Sequence, residues 1–457
     1  MLDLRIINAT VVTPEGTRQA DVGIEGSSIA EVAETGALGP AREEIDATGL
    51  YVMPGAVDVH FHCRAPSHPE RGDFASETAA AAAGGVTTVF EMPISDPACS
   101  TPEVFRSRRA LAEADAHVNV ALYSGAALAD AAAAREMAEL GAIGYKLFTV
   151  APAVGREREF AGLSATTDAA IYGALTAVAE TGLTCVVHAE SDSLIRHFEA
   201  LTPAGELPAR PPVVEAVALA TVAALAKDAG ARLHVAHVSC RSALDALRGA
   251  QAAGGDVTGE TCPQYLLLDE HTVERYGALA KIGPPLRTAA DREALWDAVR
   301  DGTLALVASD HAPFLAHEKI GVDPLVAPQG LPTVELLVPA MLDAAARGEL
   351  TLEAAVAAVT SAPARRFGLD RKGTLAPGAD ADVAVFSLGA ARPLRVEDLV
   401  SRAAGCAEVY ADVPLRARVE RTIVGGRVVF GDGAVHGDAT GRFLPGPAVR
   451  PREAEPV

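Results

Sequence analysis

The sequence predicts an eight-stranded α/β barrel joined to a small β-sandwich domain that both chain ends build together. Three observations lead there. Eight short apolar runs alternate with Ala-rich helical stretches through the middle of the chain. Both ends carry β-branched segments punctuated by turn residues. Polar side chains, histidines above all, fall where several of the apolar runs stop.

At 457 residues the chain is too long for one ordinary core, and 49% hydrophobic residues supply enough material for a large one. The N-terminal stretches Leu4–Val12 and Ala20–Val32 are broken at Pro14-Glu15-Gly16 and Gly26. Asp382–Phe386 and Val419–Phe430 return to that texture, with turns at Gly425-Gly426 and Gly431-Asp432-Gly433. Residues 1–52 and 371–444 are therefore expected to form the β-sandwich domain, and 53–370 the barrel. The proline-rich, charged tail 445–457 is expected to be poorly ordered.

The eight runs are Val52–His60, Thr87–Glu91, Val118–Tyr123, Ala142–Thr149, Thr184–His188, Arg232–Val238, Asp256–Thr261 and Leu304–Ser309. Between them Glu77–Ala83, Ala127–Leu140, Asp168–Thr181, Val214–Ala229 and Arg241–Ala253 are rich in helix formers. That rhythm is the signature of a parallel barrel. A doubly wound sheet for dinucleotides lacks support, because no G-x-G-x-x-G follows the first run and Gly84-Gly85 falls at a helix end.

A formal net charge of −21 argues against nucleic acid and anionic membrane surfaces as partners. The six cysteines are scattered without a C-x-x-C pair, which fits a reducing compartment. The N-terminus lacks the basic start and apolar run of a secretory signal. The most apolar helical stretch, Ala216–Ala226, is too short to span a bilayer. A cytoplasmic, soluble protein is expected.

Barrel enzymes hold their chemistry at the C-terminal ends of the strands. The first run ends in His60-Phe61-His62, two imidazoles on one strand face. Alone, such a pair is as compatible with satisfied core histidines as with a metal. The fourth run contains Lys146, costly among apolar neighbours unless its charge is paired or removed or it snorkels to the rim. The fifth ends at His188, the sixth at His237 and the eighth at Asp310-His311. Five of eight strand ends thus offer nitrogen or oxygen donors suited to Zn²⁺ or similar ions. His234, three residues before His237, is expected on the opposite face as a packing residue. His68, His117, His197, His271, His317 and His436 are expected at the surface.

These residues sit in longer stretches: Pro54-Gly55-Ala56-Val57-Asp58-Val59-His60-Phe61-His62, Ala82-Ala83-Gly84-Gly85-Val86-Thr87-Thr88 and Gly144-Tyr145-Lys146. Further on come Glu260-Thr261-Cys262-Pro263-Gln264-Tyr265-Leu266, Pro284-Pro285-Leu286-Arg287, Ser309-Asp310-His311-Ala312-Pro313 and the run from Gly373 to Asp382. Together they resemble the amidohydrolase superfamily and, within it, the cyclic amidases: dihydroorotase, allantoinase and hydantoinase (dihydropyrimidinase). The resemblance implies that Lys146 carries a CO₂-derived carboxylate bridging two divalent metal ions, zinc by expectation. It further implies that His60, His62 and Asp310 hold one ion and His188 and His237 the other. Asp310 would also act catalytically, taking the proton of the attacking water and passing it to the leaving amide nitrogen.

The substrate pocket matches in part. Arg64 stands where dihydroorotases read a substrate carboxylate, a geometry suited to arginine. Ile94, Gly283 and Phe314 occupy places where those enzymes carry asparagine, asparagine and histidine. Ala151 replaces the tyrosine usual in hydantoinases, while Ala327–Pro332 again looks like dihydroorotase. The leading expectation is a dihydroorotase-like hydrolase with an altered pocket, acting on a small cyclic amide that can carry a carboxylate. Hydantoinase or allantoinase activity is the alternative. A non-catalytic relative kept as an assembly module would be expected to lose metal ligands. A homo-oligomer is expected from the resemblance.

Overall fold

The computed structural model describes residues 1–128, 130–203, 210–324 and 326–448. Eight parallel strands follow one another around a barrel in sequence order. They are Ala56–Phe61, Val86–Glu91, Asn119–Gly125, Gly144–Phe148, Thr184–His188, Arg232–Val235, Val257–Thr261 and Leu306–Val307. The ring closes where Phe61 bridges His311 in parallel and the His62 amide donates to the His311 carbonyl at 2.9 Å. Val57, Val59, Phe90, Met92, Tyr123, Val186 and Leu306 pack with Phe367 into a buried cluster. The barrel is therefore filled rather than open.

The expected first run, Val52–His60, is two strands. Tyr51–Pro54 belongs to the terminal sheet, where Val52 pairs with Val385, and Ala56 starts the barrel. Both pieces are buried and apolar, so periodicity alone could not separate them. Gly55 marks the joint. A Cβ there would sit 2.2 Å from Thr87 Oγ1. The sixth and eighth strands also stop early, at Val235 and Val307.

The second sheet has nine strands drawn from both chain ends. Leu2–Thr13 runs antiparallel to Gly16–Glu25 and parallel to Tyr51–Pro54. Tyr51–Pro54 in turn pairs with Val383–Pro393, which continues into Pro414–Val424 and Arg427–Gly431. A separate core of Leu4, Ile6, Val22, Ile24, Val383 and Ile423 lies against this sheet. Beyond it the chain returns to the barrel. Leu444 N donates to Val120 O at 2.8 Å, and Gly446 N to Gly141 O at 3.0 Å. The start of the tail expected to be loose is thus hydrogen-bonded, and residues 449–457 lie outside the described residues. Among the described residues no helix is long and apolar enough to cross a membrane.

Candidate metal centre

The strand ends bring the expected donors together. His60 Nε2 stands 3.2 Å from Asp310 Oδ1, and His62 Nε2 stands 3.9 Å from the same oxygen. Among the described residues, these three form a set whose ligand atoms all lie within 4.8 Å of one another. His188 Nδ1 is 2.9 Å from His237 Nε2, and the His60 and His237 ring centres are 5.3 Å apart. Lys146 is fully buried, 5.0 Å above the Phe148 ring, and its Nζ has no hydrogen-bond partner. Burial lowers its amine to about 8, against the pull of Glu260 and Asp310. Burial, then nearby cations that include Lys146, hold His62 and His237 well below the ordinary imidazole value.

Backbone geometry accounts for the convergence. His237 (φ 38°), Asp310 (φ 46°) and Arg64 (φ 65°) all occupy the left-handed region. Such positions cost non-glycine residues energy and cluster at functional sites. Here the sixth and eighth strands end two or three residues earlier than their apolar runs suggest. The chain then turns sharply, which aims His237 and Asp310 across the barrel mouth rather than along it.

A ring of buried carboxylates fixes the imidazoles, and sequence reasoning missed most of it. Glu260, wholly buried at the end of the seventh strand, accepts from His60 Nδ1 at 2.5 Å and from His234 Nε2 at 3.0 Å. Its carboxyl is held well below the usual range by the two imidazoles, despite burial. His234 therefore does not face away from the site; it supports Glu260 and is anchored to Thr258 Oγ1 at 2.7 Å. Glu190 Oε2 accepts from His188 Nε2 at 2.9 Å and from Arg210 Nη1 at 3.0 Å. Asp58 accepts from Ser309 Oγ at 2.5 Å and Ser309 N at 2.9 Å, tying the first strand to the turn that carries Asp310. The usable signal was a carboxylate at the end of an apolar strand, where burial demands a partner. His311 is not a donor to the site. Its Nε2 bonds Glu77 at 2.8 Å, and its Nδ1 accepts from Thr333 N at 3.1 Å.

The rim residues separate. Arg64 is buried, donates to Pro313 O at 3.3 Å and lies 4.4 Å over the Phe314 ring, which Arg71 also covers. Among the described residues no carboxylate lies within ion-pair distance of Arg64, and Arg71 pairs instead with Glu318. Ile94 packs with Phe148 and Leu163 in a small apolar cluster beside the centre, since Phe148 lies 5.2 Å from His188 ring to ring. At Gly283 a Cβ would fall 2.1 Å from Gln329 Oε1 and 3.4 Å from Arg210 Nη1.

The donor chemistry fits divalent cations: imidazoles with carboxylates behind them, a carboxylate between two of them, and an unpartnered buried amine in the middle. Fold and site together define a barrel protein with a candidate metal-ligand set at the C-terminal ends of its strands. The chain belongs to the amidohydrolase family, whose profile matches residues 51–429, and falls in that family's cyclic-amidase group. It is 38% identical over 451 residues to an allantoinase of Rubrobacter xylanophilus, covering 97% of each chain. An allantoinase of Deinococcus radiodurans is 35% identical over 455 residues, covering 97% of this chain and 98% of its own. Among solved structures, the L-hydantoinase (dihydropyrimidinase) of Arthrobacter aurescens superposes with a TM-score of 0.90 at 30% identity. That match covers 97% of this chain and all of the other.

Proposed function

We propose that the protein hydrolyses the ring amide of a cyclic ureide of the allantoin type. The observation that carries this reading is the full-length 38% identity to an allantoinase, in a chain that keeps six convergent donors. The pocket supports it. Ile94 and Phe314 offer no hydrogen bond where a dihydroorotate-reading site is expected to need one, and Gly283 offers no side chain at all. Buried polar groups on a substrate would lose partners there.

In this reading His60, His62 and Asp310 would hold one divalent ion and His188 and His237 the other, and Lys146, carboxylated by CO₂, would serve as a ligand to both. Such a pair, when bound, makes water a nucleophile near neutral pH and polarises the scissile carbonyl. Asp310, the donor most exposed to the mouth at 14%, takes the proton of the attacking water. It returns that proton to the ring nitrogen as the C–N bond breaks, leaving a carboxylate and an open-chain urea. Glu260 and Glu190 keep His60 and His188 in the tautomers that present Nε2 and Nδ1 to the centre. Ile94, Phe148 and Leu163 wall the centre with apolar surface.

Arg64 favours a second reading, a ring that carries its own carboxylate, because it is a buried cation without an anionic partner among the described residues. Assays of the purified, zinc-supplemented protein on allantoin, hydantoin, dihydrouracil and dihydroorotate separate the two. Preferential opening of allantoin is expected. Turnover of dihydroorotate alone would replace the first reading with the second.

A further inference from the structure

Two lysines fasten the loop after the seventh strand to the loop after the eighth. Lys319 is wholly buried, and its Nζ donates to the carbonyls of Lys281 at 3.0 Å and Gly330 at 2.7 Å. From the other loop, Lys281 Nζ donates to Pro324 O at 2.6 Å, and the Lys281 carbonyl also accepts from Gly330 N at 3.1 Å. Among the described residues no carboxylate lies within ion-pair distance of Lys319. An ammonium buried against carbonyls alone is a costly way to hold a loop. Burial lowers its amine to about 8.

Three of the four candidate substrate contacts are tied to this junction. Gly283 lies two residues beyond Lys281, and Gln329, whose Oε1 would stand 2.1 Å from a Cβ at Gly283, precedes Gly330. A Cβ at Gly330 (φ 151°) would fall 3.0 Å from Phe314 Cε2, so the backbone there abuts the ring that Arg64 covers at 4.4 Å. One residue further on, Leu331 bridges His311, the neighbour of Asp310. Lys319 itself hydrogen-bonds none of the six donors and is closed off from solvent. It stands behind the pocket wall rather than in the pocket.

We propose that Lys319 is a positioning residue for the substrate. By joining the two loops it sets the gap between the Gly283–Gln329 side of the pocket and the Phe314–Arg64 side, and so decides which rings fit. The proposal rests on the reading that a ring amide binds at this mouth, and not on which ring. The wall meets the bound ring before and during reaction alike. Loosening it therefore removes uniform binding, which raises KM and spares kcat.

Lys319→Met, which keeps the length of the side chain and removes its donors, provides the test in the full, zinc-supplemented chain. On the ring that the wild-type enzyme opens best, KM should rise at least about tenfold, with kcat within about threefold and zinc content unchanged. Hydrogen exchange at the Gly330 amide should quicken by about the same factor. Lys319→Ala should show the same defect and regain a low KM in n-propylammonium. It should not do so in n-propanol, which fills the space without the charge. A Met variant with KM within about threefold of wild type would overturn the proposal. So would a fall in kcat with KM unmoved, or equal rescue by the alcohol. A wild-type protein that opens no ring at all would defeat the functional reading, and this proposal with it.

Discussion

Glu260 is the position where the account commits itself to magnitudes. It is wholly buried and holds two imidazoles at once, His60 at 2.5 Å and His234 at 3.0 Å. Glutamine there keeps the shape and both contacts. Its oxygen accepts from His60 Nδ1, and its amide donates to His234 Nε2 once His234 moves its proton to the nitrogen facing Thr258. What is lost is the charge. Charged hydrogen bonds contribute about 1.5–3 kcal/mol and neutral ones about 0.5–1.5, so two such downgrades cost about 2 kcal/mol. Alanine removes both contacts and leaves two buried N–H groups at about 1–3 kcal/mol each, about 4 kcal/mol in all. Because the neutral amide holds the His60 ring less firmly and alanine frees it to turn, metal affinity should fall by about 10- to 100-fold in both variants, more in alanine. Urea melts of the metal-free protein measure the first effect, and zinc competition with a chelator measures the second. Two variants equal to each other in stability, or zinc affinity within threefold of wild type, would refute the argument that Glu260 sets the His60 ring.

Further outcomes concern other parts of the molecule. Lys146→Met removes a buried amine with no hydrogen-bond partner. If that amine were merely tolerated, the variant would gain stability and keep its zinc, whereas elemental analysis is expected to show at most one ion per chain and no turnover. Asp310→Asn should retain much of its metal and lose activity by at least about 10²-fold, the scale of a general acid–base group; an active variant would remove its proton role. Arg64→Met should raise KM for dihydroorotate more than for allantoin, and equal factors would count against carboxylate binding. Glu335 is raised by burial from 4.5 to about 7, so the folded chain holds an extra proton between those values and stability falls as pH rises through that window. The side chain is only half-buried by exposed surface, and screening trims the effect to about 1–2 kcal/mol. Glu335→Gln should therefore stabilise the protein at pH 8 and not at pH 4.5, and a pH-independent change would contradict the assignment.

Much of this was readable from residue order because the barrel places its donors by rule. Each apolar run that ended in His60-Phe61-His62, His188, His237 or Asp310 pointed a polar group at the same mouth, and periodicity alone supplied the strand. Other features escaped because their cause is tertiary. The division at Gly55 depends on a pairing between Val52 and Val385, more than 300 positions apart. His311 resembles a ligand in the sequence, yet Glu77 and two backbone amides occupy it. His234 could not be placed by alternation, since the strand stops at Val235 and the left-handed turn at His237 resets the faces. Glu190 and Glu260 gave no periodic signal; each could be noticed as a carboxylate at or just past the end of an apolar strand, but its partner is visible only in the fold.

The most direct measurement is an anomalous-scattering map from crystals of the protein grown with zinc and bicarbonate. Two peaks roughly 3.5–4 Å apart are predicted, one beside His60, His62 and Asp310 and one beside His188 and His237, with density joining both to an enlarged Lys146 side chain. A single peak, or an unmodified lysine reaching toward none, would contradict the account.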